Sequence, residues 1–175
     1  MRNKRGQGAV RMKDADTIIS LSPAEFNKIP LFKSLNYEEL EDLLFKCVLL
    51  RIESESIVIA PGQPNQRLYI LVRGEMSIHL NDVNREPVAT LQRGDVFGEL
   101  SVIDAQPASA FVVARTNCRL LGIDKDNWWA IFKRKPEIAI NLMTILARRL
   151  RATNEQLRGP LEADLLESPR FEMVI

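Results

Sequence analysis

Two short stretches of this chain carry residues with the means to hold an anion. In Phe97-Gly98-Glu99-Leu100-Ser101 the glycine lets backbone come close to a ligand and turn tightly into a helix. A single helical turn from Leu100 to Ile103 would start with unpaired amide N–H groups, a site for phosphate oxygens. Glu99 adds a carboxylate acceptor at the start of that turn. In Pro107-Ala108-Ser109-Ala110, Ser109 can donate its hydroxyl to an anion and Ala110 leaves room for close backbone approach. The plainer alternatives are a capping acid at Glu99 and a strand-end serine at Ser109 that bonds its own backbone.

Little else in the chain suggests chemistry. His79 is the only histidine and sits in a strand-like run, Met76-Ser77-Ile78-His79-Leu80, where a structural or surface role is the expectation. Cys47 and Cys118 lie far apart without metal-ligand spacing, so buried free thiols in a reducing, cytoplasmic setting are expected. The sequence offers no nucleophile paired with a base, no metal-ligand cluster and no Walker-type loop. Neither an enzyme nor a metal or cofactor site is therefore expected.

The two stretches need a scaffold, and the hydrophobic pattern predicts one. Ser22-Pro23-Ala24-Glu25 reads as a helix start, with a capping serine and proline at the first helical position. Ile29-Pro30-Leu31-Phe32 then makes an apolar turn. Ser34 is positioned to cap a second helix with an apolar face of Leu35, Leu40, Leu43, Leu44 and Phe45. From Val48 to Ile123 the pattern changes to short strands, broken at Pro61-Gly62, Arg73-Gly74, Asn81-Asp82 and Arg93-Gly94-Asp95. Many short strands with glycine at the corners predict a small barrel or jelly roll. Beyond it, Asp124 caps a helix through Trp128 and Trp129 that ends at Lys135-Pro136. A long final helix then carries Leu142, Ile145, Leu146, Leu150 and Leu157 toward Arg158. Trp129 is the neighbour of Trp128 and must point to another side of the helix, where it could anchor an interface.

The chain of 175 residues suits one domain with short tails, and its 46% apolar content suffices for a core. A net charge of +1 favours neither nucleic acid nor membrane as main partner, and no apolar run is long enough to span a bilayer. The organisation expected is a flexible basic arm over 1–20, a domain over 21–158 and an acidic tail over 159–175. No secretion signal is expected in the basic N-terminal segment.

The stretch Leu91-Gln92-Arg93-Gly94-Asp95-Val96-Phe97-Gly98-Glu99-Leu100-Ser101, followed by Pro107-Ala108-Ser109-Ala110-Phe111-Val112-Val113-Ala114, resembles the phosphate-binding cassette of cyclic-nucleotide-binding domains. Such domains occur in bacterial catabolite-activator-type regulators and in protein kinase A regulatory subunits. Leu68-Tyr69-Ile70-Leu71-Val72-Arg73-Gly74-Glu75 and Ala147-Arg148-Arg149-Leu150 share the resemblance, which covers roughly 24–158.

The resemblance implies a mainly β jelly roll with flanking α-helices, ending in a long helix, and a ligand site formed by Phe97, Gly98, Glu99, Leu100, Ser101, Ala108, Ser109 and Ala110. It implies a ribose 2′-hydroxyl on Glu99, and purine contacts from Thr153 and Asn154 on the final helix. Family members that prefer cyclic GMP tend to carry threonine at the position of Ser109, so the resemblance implies cyclic AMP over cyclic GMP. It also implies a buried Trp128 at the family's large apolar position on the short helix. One departure bears on affinity. The family pattern reads Pro-Arg-(Ala/Ser)-Ala, and its phosphate-pairing arginine falls on Ala108. Arg115 and Arg67 are the nearby candidates to replace that charge; Arg170 and Phe171 of the tail are others, should the tail fold back.

Two functions are expected in competition. One is a stand-alone sensor of a cyclic nucleotide that signals through a partner protein or a homodimer made by the final helix. The other is a degenerate domain that has lost the nucleotide and serves as a protein-interaction module. Relatives of the regulator type carry a DNA-binding motif after the long helix, for which the acidic residues after Arg158 are unsuited, so direct DNA binding is not expected.

Overall fold

The computed structural model of the chain describes residues 10–14, 17–21, 26, 28–33 and 35–167. The expected helix start at 22–25, Ser34, and the tail residues Arg170 and Phe171 lie outside these residues. Two four-stranded antiparallel sheets form the body, the jelly roll that the strand pattern predicts. One has the order β3-β10-β5-β8 and the other β4-β9-β6-β7. The first is built from β3 (Val48–Ile52), β10 (Cys118–Asp124), β5 (Arg67–Arg73) and β8 (Val96–Phe97). The second is built from β4 (Ile57–Ile59), β9 (Phe111–Ala114), β6 (Met76–His79) and β7 (Ala89–Leu91).

The near-alternating pattern of the strands has a cause in this layering. Ile59, Leu71, Met76, Leu91, Phe97, Val112 and Leu120 meet between the two sheets. Leu68, Ile70, Val72, Leu121 and Ile123 leave the other face of β5 and β10 and pack under the helices with Phe32, Leu40 and Trp128. Central strands covered on both faces lose the polar positions that make alternation clean. Gly74 turns β5 into β6 at φ 97°, where an added Cβ would come within 2.6 Å of the Cys118 sulfur. Only glycine fits that corner.

Four helices flank the sheets. The first, α1 (Tyr37–Leu44), is capped by Asn36 rather than by the expected Ser34. Asn36 accepts from the Glu39 amide at 2.9 Å, and the Glu39 carboxylate accepts from the Asn36 amide at 3.0 Å. The helix starts later than expected because Leu35 is drawn into the core ahead of it. Phe45, expected on the apolar face, lies beyond the last helical residue and is 83% exposed. The cassette helix is α2 (Glu99–Asp104), and α3 (Lys125–Arg134) is capped by Asp124 as expected, at 3.0 Å from the Asn127 amide. Trp128 is fully buried and Trp129 is 38% exposed.

The last helix, α4 (Pro136–Glu167), runs past Gly159-Pro160, where the sequence suggested a stop. An interior proline costs about 3 kcal/mol, which helix on both sides can absorb. A second difference is an antiparallel hairpin, β1 (Val10–Asp14) with β2 (Thr17–Leu21), within the segment expected to form a flexible arm. Polar composition disfavours a buried core there, but a two-stranded ladder needs only backbone partners.

The N-terminal end of α4 is firmly docked. Asn141 donates its side-chain amide to the carbonyls of Leu31 at 3.1 Å and Lys33 at 2.7 Å, in and beside the 3-10 turn Pro30–Phe32. Ile138 and Leu142 are buried beside it, and Lys135 pairs with Glu39 across the α3–α4 corner. Removing the α1 cap tests the local account. Asn36→Ala should lower stability by about 1 kcal/mol, read as a shift in the urea midpoint with an unchanged slope.

Candidate functional site

β8 and α2 meet at Gly98, which has φ 76°. The Asn65 side chain fixes this junction by donating to the carbonyls of Arg67 at 2.7 Å and Gly98 at 2.9 Å. A Cβ on Gly98 would stand 2.8 Å from both the Arg67 carbonyl oxygen and the Asn65 amide nitrogen. Beside it, Phe97 stacks on its register partner Tyr69 with ring centroids 5.1 Å apart. This packing sets the direction in which the chain leaves β8 and hence where Glu99 points.

Phe97, Gly98, Glu99, Leu100, Ser101, Ala108, Ser109 and Ala110 line one cavity of about 260 Å3, together with Ile59, Ile78, Leu80, Val112 and Arg149. The fold thus brings eight of the ten expected site residues together. The other two, Thr153 and Asn154, do not line it. Both are exposed on α4, and the Thr153 hydroxyl donates back to the Arg149 carbonyl at 3.0 Å.

Glu99 is 4% exposed. Its Oε1 accepts from Arg149 Nη1 at 3.1 Å, while Nη2 donates to the Val96 carbonyl at 2.6 Å. Burial pushes the Glu99 carboxyl above the usual carboxylate range, and the adjacent guanidinium opposes that shift. The cavity wall therefore holds a buried anion and a cation side by side.

Arg149 is the residue that sequence reasoning missed as part of the site. The candidates named for a compensating cation were Arg115 and Arg67, and neither lines the cavity. Arg115 pairs with Glu75 at 3.3 Å, where the β9–β10 turn folds against the β5–β6 corner. Arg67 bonds Tyr69 instead. A signal for Arg149 did exist in the sequence: it lies one helical turn before Thr153, on the face suspected of meeting the ligand.

Cys118 is buried, as expected, and Cys47 is half-buried with its thiol pushed up to about 12 by burial. His79 is also buried, and its Nε2 lies 2.8 Å from Ser77 Oγ, a pairing that the sequence did not suggest. The Nδ1 atom lies 3.0 Å from the Arg85 carbonyl, to which it donates. Neither side chain lines the Glu99 cavity.

Two substitutions test this geometry. Gly98→Ala should cost about 2 kcal/mol or more by urea denaturation, since the left-handed backbone alone costs roughly 1–2 kcal/mol for a residue with a Cβ. For Glu99, a folded pKa above the unfolded value of about 4.3 means that the native state binds the extra proton between the two values. Stability from this group is then highest below that window and falls as pH rises through it. Glu99→Gln should flatten this part of the stability curve, measured as Tm against pH.

Comparison with known proteins agrees with this architecture. Residues 49–135 match the family model of the cyclic nucleotide-binding domain. The CRP-like cAMP-activated global transcriptional regulator of Mycobacterium tuberculosis is 36% identical over 110 residues, which cover 62% of this chain and 49% of that protein. The crystal structure of the Thermus thermophilus catabolite activator protein superposes with a TM-score of 0.65 at 31% identity, over 78% of this chain and 62% of that one. The regulatory domain of Toxoplasma gondii PKA, solved with cAMP, gives 0.54 at 29% identity, over 61% of this chain and 41% of that one. The chain thus spans about half of the mycobacterial relative and three-fifths of the Thermus one. These relatives are regulatory proteins, and residues 49–135 of this chain share with them the likeness to the cyclic nucleotide-binding domain family.

Proposed function

We propose that this chain is a regulatory domain that binds a cyclic nucleotide, cyclic AMP in preference to cyclic GMP, in the cavity between α2, β6 and α4. The observation that carries the reading is the pairing of buried Glu99 with the half-buried Arg149 at the cavity wall. It sets an acceptor for sugar hydroxyls next to a cation for a phosphate. Ser109 is exposed on the opposite lining and adds a hydroxyl donor. In the family pattern an arginine stands where this chain has Ala108; Arg149 is the cation that takes over its charge. At about 260 Å3 the cavity is near the small end for ligand sites, so entry of a nucleotide displaces the Arg149 guanidinium from the Val96 carbonyl. Because Arg149 belongs to α4, ligand binding and the position of that helix are coupled, which is a population shift that a partner can read.

The same helix offers a surface for self-association. Leu142 is buried and Ile145 and Leu146 pack against the domain, so only part of the expected stripe is free. Ile140, Met143, Leu150 and Leu157 are 57–62% exposed; Ile140, Met143, Ala147 and Leu150 recur three and four residues apart and Leu157 follows one heptad on, the spacing of a coiled-coil seam with Asn154 at one position. A homodimer through this seam, or an effector protein seated on it, carries the signal.

A second reading draws on Ala108. Its methyl packs against the core between the sheets, its amide donates to Gln63 at 3.0 Å and its carbonyl accepts from Gly62 at 2.8 Å. That amide is unavailable to a phosphate. This favours a domain that has given up the nucleotide and acts as a protein-interaction module.

Calorimetric titration with cyclic AMP, cyclic GMP and cyclic dinucleotides separates the two. The sensor reading expects micromolar binding of cyclic AMP by the unaltered chain. Arg149→Ala should then weaken it roughly 10- to 150-fold, the equivalent of about 1.5–3 kcal/mol for a charge-assisted hydrogen bond. Binding only by Ala108→Arg would establish the interaction reading instead. In sedimentation, the dimer proposal expects Leu150→Glu to shift the chain to monomer; an unchanged mass would remove that proposal.

A further inference from the structure

The sheet β3-β10-β5-β8 carries a second charged feature, apart from the Glu99 cavity. Arg119 on β10 stands directly opposite Arg51 on β3 and Arg73 on β5. Residues facing each other across antiparallel strands project from the same side of the sheet. The three arginines accordingly line one groove of about 710 Å3, with Glu53 as the single carboxylate among its lining residues. None of its lining residues belongs to the Glu99 cavity.

Like charges placed directly opposite on neighbouring strands destabilise a sheet. Here the arrangement occurs twice, on both sides of Arg119. Among the described residues, Arg73 and Arg119 make no hydrogen bond or ion pair to offset it. Arg119 is also half-buried, so its charge is less screened by water than that of an ordinary surface arginine. An anion in the groove relieves both costs.

The geometry narrows the chemistry of that anion. A guanidinium presents a planar fork that matches two phosphate oxygens at once. Arg73 and Arg119 stand on neighbouring strands about 4.8 Å apart, a spacing suited to two linked phosphate groups rather than to one. The groove volume falls within the roughly 300–1,000 Å3 of small-molecule sites. We propose that this groove binds a small oligophosphate, free or as the phosphate chain of a nucleotide, through Arg73 and Arg119 with Arg51 as the third wall.

The test is calorimetric titration of the full chain with inorganic tripolyphosphate and, separately, with ATP. Saturable binding that weakens as salt rises is expected. Arg73→Ala and Arg119→Ala should each weaken it about tenfold or more. Tripolyphosphate should raise the Tm of the unaltered chain and leave that of the double variant unmoved, and the Tm of the free variants reports that they fold. Tighter binding of ATP assigns the phosphate chain to a nucleotide, and equal affinity assigns it to free oligophosphate. No saturable heat with either probe overturns the proposal, as does binding that survives both substitutions. Saturation by an acidic peptide alone overturns it too, in favour of a protein-docking surface.

Discussion

A carboxylate almost fully withdrawn from water needs a partner, and in this chain the partner comes from 50 residues away. Glu99 sits at the start of a six-residue helix inside the jelly roll; Arg149 sits on the helix that follows it. Without the guanidinium, Glu99 would take up a proton or reach for solvent, and the cavity wall would change shape. The rest of the molecule can be read as the set of contacts that bring these two side chains together. Asn65 and the left-handed Gly98 aim Glu99, while Asn141, Ile138 and Leu142 hold the start of α4 so that Arg149 arrives two turns later.

The division of the core into two layers follows from the same demand. One layer closes the space between the sheets and forms the floor of the cavity through Ile59, Phe97 and Val112. The other glues α1, α3 and the first turns of α4 to the outer face of β5 and β10. Both layers share β5 and β10, whose inner faces pack against the floor residues and whose outer faces pack against the helices. Past Arg149, Leu150 and Leu157 are exposed. Docking at one end and exposure at the other suit a helix that links a ligand cavity to an interface.

Much of this was legible in the residues. Strand-length apolar runs punctuated by glycine indicated the jelly roll, and Gly98 and Glu99 marked the cavity through the cassette they share with the family. Asp124 as a cap followed from its residue type, the burial of Trp128 from the family resemblance, and the outward Trp129 from its place beside Trp128. The errors share a cause. Ser34 and Asn36 are both good caps, and only the burial of Leu35 decides between them. Polar composition gave no sign of the backbone pairing that makes a hairpin within the N-terminal segment. Arg67 and Arg115 were near the cassette in sequence, but each is taken by a neighbour, Tyr69 or Glu75.

By itself, the sequence determined the fold class, the family resemblance and the residues of the cavity that lie close together in the chain. These rest on local period, turn chemistry and short-range spacing, which are written directly in residue order. Tertiary structure alone decided that Arg149 meets Glu99, that Thr153 and Asn154 stand away from the cavity, and that three arginines line up across β3, β10 and β5. Each of these depends on register and on the angle at which a helix docks. Those are set by packing between distant segments, and no local pattern encodes them.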